Sequence, residues 1–294
     1  MTIETIFRKE YEMQSITEQF VRQYFPKRNQ KSHKGMYGNV LCIGGNESMG
    51  GAIILASGAA LYSGAGTVTC ATDAVNRTAL HARYPEVMWL DWQEICSGDL
   101  SRYQVILIGP GMGQSDFAKQ LFETVLQTVT RSQCLIIDAD GLNLLADHLP
   151  LRLACQAKQI ILTPHRIEWQ RISGIGPEQE AIQVHQRAVQ SLNATVVLKG
   201  APTQVYLGEQ VWQNTTGNPG QSVGGMGDTL AGMVAGMLAQ NSSEPWSILN
   251  AVYLHSYIAD QLAKNQYICL PSRIIEAIPE TMRHFSQYSK GFND

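Results

Sequence analysis

The sequence predicts an α/β fold in which one doubly wound, mostly parallel sheet is flanked by helices. Short apolar segments alternate with helical ones along most of the chain after Lys34. These segments are apolar throughout rather than at every second residue, as expected of strands buried on both faces in a parallel sheet. Several run straight into glycine-rich or carboxylate-bearing turns, and sheets of this kind bind ligands beyond the carboxyl ends of their strands.

Residues 1–34 are polar and amphipathic and read as a helical and extended N-terminal arm. Strands follow at 40–43, 67–71, 105–108, 135–138, 160–162 and 195–199, with helices at 52–63, 117–128 and 178–192 between them. Residues 204–206 and 211–213 flank Gly208 and read as a hairpin at one sheet edge. From Gly227 the pattern is helical, over 229–240, 248–263 and 272–284. The expectation is a single domain over residues 1–294.

The chain is 44% hydrophobic and 16% charged, ample for a large core. A net charge of −3 and the lack of any Lys/Arg run leave no footprint for nucleic acid. No stretch reaches the ~20 continuous apolar residues of a membrane span. The opening MTIETIFRKEYEMQ has no apolar signal core. Six scattered cysteines without CxxC spacing read as free thiols in a reducing compartment. Together these predict a cytoplasmic protein.

The chemistry-bearing residues cluster at the strand ends. GGNESMGGA, from Gly44 to Ala52, joins a strand to an apolar helix. Its glycines either admit a ligand close to the backbone or make a tight turn. It fits neither GxGxxG nor the Walker A pattern. IGPGMG places Gly111 and Gly113 at the next strand end. In DADGLN, Asp138 and Asp140 suit the vicinity of a metal–phosphate complex, and a helix cap suits Asp140 equally. LTPHRIE puts His165 at the sheet edge, because Pro164 keeps Thr163 extended. LKGAPT offers an ammonium, backbone N–H groups and a hydroxyl. The most telling run is NTTGNPGQSVGGMGDTLAG, a long glycine loop entering a helix. Converging N–H groups of Gly225, Met226 and Gly227 would form an anion hole. Asp228 would stand beside it as a proton acceptor.

Together these segments resemble the ribokinase-like carbohydrate kinases and, within them, the ADP-dependent NAD(P)H-hydrate dehydratases. KGMYGNVLCIGG, IGPGMG, DADGLNLL, LTPHRIEW, VVLKGAPT, TTGNPGQSVGGMGDTLAG and YLHSYIAD carry the resemblance in order, from roughly Lys34 to Asp260. It implies ADP-dependent dehydration of (6S)-NADHX or NADPHX to NADH or NADPH. A β-phosphate passes from ADP to the C6 hydroxyl and then leaves, giving AMP and phosphate. By position, Ala52, Gly111, Gly113, His165 and Asp228 fall on the hydrate. Lys199, Gly200, Ala201, Pro202, Thr203 and Gly227 fall on the nucleotide. Asp228 is the implied catalytic base, weakly basic at a helix N-terminus, and Mg²⁺ the implied cofactor. The implied partners are these small molecules and further copies of the chain as a homo-oligomer. Two residues depart from the pattern: Met226 replaces the usual Thr or Ser, and Arg166-Ile167 replaces Pro-Gly. The competing function is a small-molecule kinase of the same fold, acting on a hydroxymethyl vitamin precursor or a sugar.

Overall fold

A computed structural model describes residues 12–148, 154–176, 178–179, 181–240 and 245–288. The first third of the expected arm, residues 1–11, lies outside them, as do residues 149–153, 177, 180, 241–244 and 289–294; the helix expected over 178–192 begins at Ile182, because residues 178, 179 and 181 are not helical.

One ten-stranded sheet organises the described residues. Its strands are β1 (Met13–Ile16), β2 (Asn39–Ile43), β3 (Thr67–Thr72), β4 (Met88–Asp91), β5 (Val105–Ile108), β6 (Cys134–Ile137), β7 (Gln159–Leu162), β8 (Thr195–Leu198), β9 (Gln204–Leu207) and β10 (Gln210–Asn214). They lie in the order β1-β10-β9-β8-β7-β6-β5-β2-β3-β4. Only β9 runs antiparallel to its neighbours. Burial on both faces follows the sequence pattern: Val40 and Cys42 enter one core, Leu41 and Ile43 the other.

The helices are α1 (Glu18–Tyr24), α2 (Gly50–Tyr62), α3 (Arg77–Arg83), α4 (Asp116–Thr128), α5 (Asp140–Asp147), α6 (Arg166–Ser173), α7 (Ile182–Leu192), α8 (Met226–Gln240), α9 (Trp246–Ala263) and α10 (Pro271–Ser286). Side chains of α2, α8, α9 and α10 fill one core, and those of α4 to α7 fill the other. The α2–α8 contact is close because α8 presents glycine to it. A Cβ on Gly232 would stand 2.1 Å from the Ala56 carbonyl oxygen, and one on Gly236 2.3 Å from that of Ala60.

Two expectations need correcting. The β9–β10 hairpin is not the sheet edge, because β1 pairs in parallel with β10 from Met13–Val211 to Ile16–Asn214. The arm therefore contributes a strand as well as α1. The other edge strand, β4, was not anticipated; its residues Met88–Asp91 are exposed or half-buried, so they carry no continuous apolar signal.

Strand order reverses between β2 and β5, which makes a crevice at their carboxyl ends. The two glycine loops interlock there. Gly45 N–H donates to the Pro110 carbonyl at 2.9 Å, and Asn46 N–H to that of Gly111 at 2.7 Å. Gly44 has no room for a side chain, since a Cβ would lie 2.2 Å from the Pro110 oxygen.

Candidate active site

The carboxyl ends of adjacent strands gather the residues singled out in the sequence. A Cβ on Gly111 would lie 3.1 Å from that of Ala52, so these two meet across the switch point. Gly113 N–H donates to Asp140 Oδ2 at 2.8 Å. Asp140 is the first residue of α5, and Ala139 at the cap position makes no side-chain cap. Its carboxylate instead holds the neighbouring glycine loop.

His165 caps α6. Its Nδ1 accepts from Ile167 N–H at 3.1 Å and Glu168 N–H at 3.3 Å. Glu168 Oε2 in return accepts from His165 N–H at 2.8 Å, which completes a capping box. Burial, then the nearby Lys199 cation, lowers the His165 pKa. In the neutral ring an accepting Nδ1 leaves the proton on Nε2. Glu168 is pushed up to about 7, chiefly by burial, against the pull of Lys199 and the His165 N–H.

Lys199 follows β8, and its N–H donates to the Pro164 carbonyl at 2.8 Å. Its ammonium lies 2.8 Å from Asp138 Oδ1 in a largely buried ion pair. Burial pulls the Lys199 pKa down, but Asp138 and then Glu168 outweigh it and the net shift is upward. Beyond it, Gly200–Thr203 turns through a cis Ala201–Pro202 peptide.

The glycine loop meets α8 at Gly225, whose φ of +90° suits glycine. Its carbonyl accepts from Thr229 N–H at 3.0 Å, which makes Gly225 the cap. The N–H groups of the first turn, starting at Met226 and Gly227, have no intrahelical partner. Met226 is 8% exposed and packs into the core, so an anion here meets backbone rather than a side-chain hydroxyl. A Cβ on Gly227 would lie 3.1 Å from Lys199 Nζ. Lys199 therefore stands against this first turn.

Asp228 is the third residue of α8 and half-buried. Its position at a helix N-terminus suggests a low pKa, yet it is pushed up to about 6. Burial is the main cause and the Asp138 charge the second, with Lys199 and the backbone opposing. Desolvation and a like charge outweigh the helix end here.

Beside this cluster a cavity of about 800 Å³ is lined by His165, the Lys199–Thr203 turn, the 214–222 loop, Met226, Gly227, Leu230, Val252, His255 and Ser256. Ala52, Gly111 and Gly113 lie outside that lining, on the switch-point side. The α9 wall was not singled out as part of the site, and the 214–222 loop was marked as a glycine loop without a role for its own residues. Asp260 on α9 accepts from Gly217 N–H at 2.9 Å and Asn218 Nδ2 at 2.7 Å. The signal was present: Val252, Ser256 and Asp260 recur at helical spacing on one face of a largely apolar helix.

A family model described as NAD(P)H-hydrate dehydratase matches residues 40–280. The chain belongs to this family. It is 46% identical over 281 residues to an ADP-dependent (S)-NAD(P)H-hydrate dehydratase of Lactiplantibacillus plantarum, covering 95% of this chain and 100% of that protein. A ribokinase-like superfamily protein of Enterococcus faecalis superposes with a TM-score of 0.90 at 39% identity, over 94% of this chain and 97% of that one. An ADP/ATP-dependent NAD(P)H-hydrate dehydratase of Bacillus subtilis, co-crystallised with ATP and Mg²⁺, gives 0.82 at 29% identity, over 93% and 99%. Membership accounts for the ribokinase-like sheet. A hydroxyethylthiazole kinase of Pyrococcus horikoshii shares the fold alone, at 14% identity.

Proposed function

We propose that the protein is an ADP-dependent NAD(P)H-hydrate dehydratase working in a single cytoplasmic domain. The observation that carries this is one juxtaposition. An anchored ammonium, the free N–H groups of a helix start and a carboxyl titrating at about 6 meet beside a nucleotide-sized cavity. Phosphoryl transfer needs positive charge and alignment on the moving group more than covalent chemistry. The first turn of α8 and Lys199 supply the charge, and Asp228 takes the proton of the attacking hydroxyl. The hydroxyl oxygen bonds to the β-phosphorus as the bond to the bridging oxygen breaks, and AMP leaves. The ring nitrogen's lone pair then expels phosphate from C6. Loss of the C5 proton restores the dihydropyridine.

In this reading Lys199–Thr203 and Gly227 hold the nucleotide. Ala52, Gly111, Gly113 and His165 hold the hydrate, and Gly225–Gly227 frames the moving phosphate. Among the described residues no group of three His, Cys, Asp or Glu is spaced to bind a metal. A Mg²⁺ entering with the nucleotide would neutralise phosphate charge. Six free cysteines support a reducing compartment, and no described helix is long and apolar enough to cross a membrane. Self-association into a homo-oligomer is carried by the family resemblance.

The test is incubation of the pure protein with hydrated NADH, ADP and Mg²⁺. NADH absorbance and AMP should rise together in equal amounts. A stable phosphorylated product in place of NADH would make the protein a kinase.

The neutral His165 carries its proton on Nε2, which lies 3.4 Å from Glu168 Oε1 on a half-exposed ring, and an acceptor on the hydrate would share that donor. His165→Asn keeps the cap and removes that donor. It should raise the KM for hydrate about 10-fold and change AMP affinity less than about 2-fold. Equal losses, compared by steady-state kinetics and calorimetry, would reduce His165 to a loop support.

A further inference from the structure

The scheme above gives no task to Asp138, the most buried charge beside the site at 1% exposure. Its Oδ1 accepts two hydrogen bonds, from Lys199 Nζ at 2.8 Å and from Thr163 Oγ1 at 2.7 Å. Asp138, Thr163 and Lys199 follow the neighbouring strands β6, β7 and β8. A parallel bridge from His165 to Lys199 extends the pairing past the strand ends. A lysine stem is flexible and its ammonium a compact point charge. Here the far end is tied down, and the place where it is tied is against the first turn of α8 at Gly227.

We propose that Asp138 is a positioning residue for phosphoryl transfer, pinning the Lys199 ammonium at the mouth of the Gly225–Gly227 turn without touching substrate. This rests on the dehydratase reading. A fixed cation needs no reorganisation as charge develops on the phosphate, whereas a misplaced group can cost about 100-fold. Thr163 serves the same end one step further back, fixing the carboxylate that fixes the ammonium.

The charges around the pair come from several elements. Glu168, His165 and Arg171 face it from α6, and Asp140 and Asp228 face it from α5 and α8. Within this set Asp138 and Lys199 act on Asp228 with opposite signs. The Asp138 charge opposes ionisation of Asp228, and Lys199 favours it.

The experiment is a double-mutant cycle on the whole chain with Asp138→Asn, Lys199→Met and the double variant, read as kcat with ADP and hydrated NADH. Asp138→Asn alone should lower kcat about 100-fold, and in the Lys199→Met background it should cost less than about 2-fold further. The acid limb of kcat/KM should move to lower pH in Asp138→Asn and to higher pH in Lys199→Met. Thr163→Val leaves both charges in place and keeps the cycle measurable should an unpaired ammonium unfold Asp138→Asn. It should lower kcat several-fold, and that loss too should vanish with Lys199→Met. Fully additive losses, or an Asp138→Asn variant within twofold of the parent, would overturn the positioning role. Absence of turnover in the unmutated protein would instead overturn the dehydratase reading.

Discussion

Asp228→Asn is expected to lower turnover about 100- to 10,000-fold, the range for loss of a general base. AMP affinity should stay near that of the parent. The amide keeps the size of the carboxyl and can serve in the first helical turn, so the Gly224–Gly227 turn should hold its shape. The melting temperature should not fall. Because the Asp228 pKa is raised in the folded protein to about 6, its charged form is disfavoured there. That penalty sets in as pH rises past the unfolded value of ~4 and is complete above about 6. At pH 8 the substitution removes it. The same value fixes the pH profile of the parent: kcat/KM should fall with acid with a midpoint near 6, since the base works only when ionised. Turnover and melting curves at pH 8, with a pH series, test all of this. Near-normal turnover in Asp228→Asn would leave the residue a helix-end group and nothing more.

The largest stability effect is expected at a residue far from chemistry. In an open helix Gly→Ala gains up to ~1 kcal/mol. Gly232→Ala should do the reverse and cost about 1–3 kcal/mol, the scale of overpacking a filled core. The added methyl would lie 2.1 Å from the Ala56 carbonyl oxygen. Backbone has to move, and α2 and α8 must part. These two helices begin at the switch point and at the Gly225–Gly227 turn respectively, so activity should fall along with the denaturation midpoint. A midpoint equal to the parent's in urea titration would show that the contact opens without cost.

How much of this was legible in the sequence depends on how local each signal is. The inner strands were, because 40–43 or 105–108 are apolar on both faces and end in glycine. β4 was not, since edge strands have little to bury. The turn at Gly225–Gly227 and the carboxyl beside it were legible as a loop running into a helix. The state of that carboxyl was not. A helix start alone lowers an acid's pKa, and only the fold reveals the burial and the second carboxylate that raise it. The Asp138–Lys199 pair was equally out of reach, its members lying 61 residues apart and meeting only because β6 and β8 flank β7. His165 was placed at the ligand edge, but its tautomer is set by the N–H groups of Ile167 and Glu168.

The pairing of β1 with β10 has a consequence for how the chain comes together during synthesis. Met13 is made early, and its partner Val211 follows only after nearly the whole sheet. At ~5–20 residues per second the N-terminal segment waits on the order of 10–40 s for the strand it completes. The contact is strongly non-local, and such contacts form slowly because a long loop must close first. The Thr215 hydroxyl, in the loop that lines the cavity, donates to the Ile16 carbonyl at 2.7 Å. The cavity loop thus gains a backbone support when an early and a later part of the chain join, and a nascent protein with β1 still free lacks it.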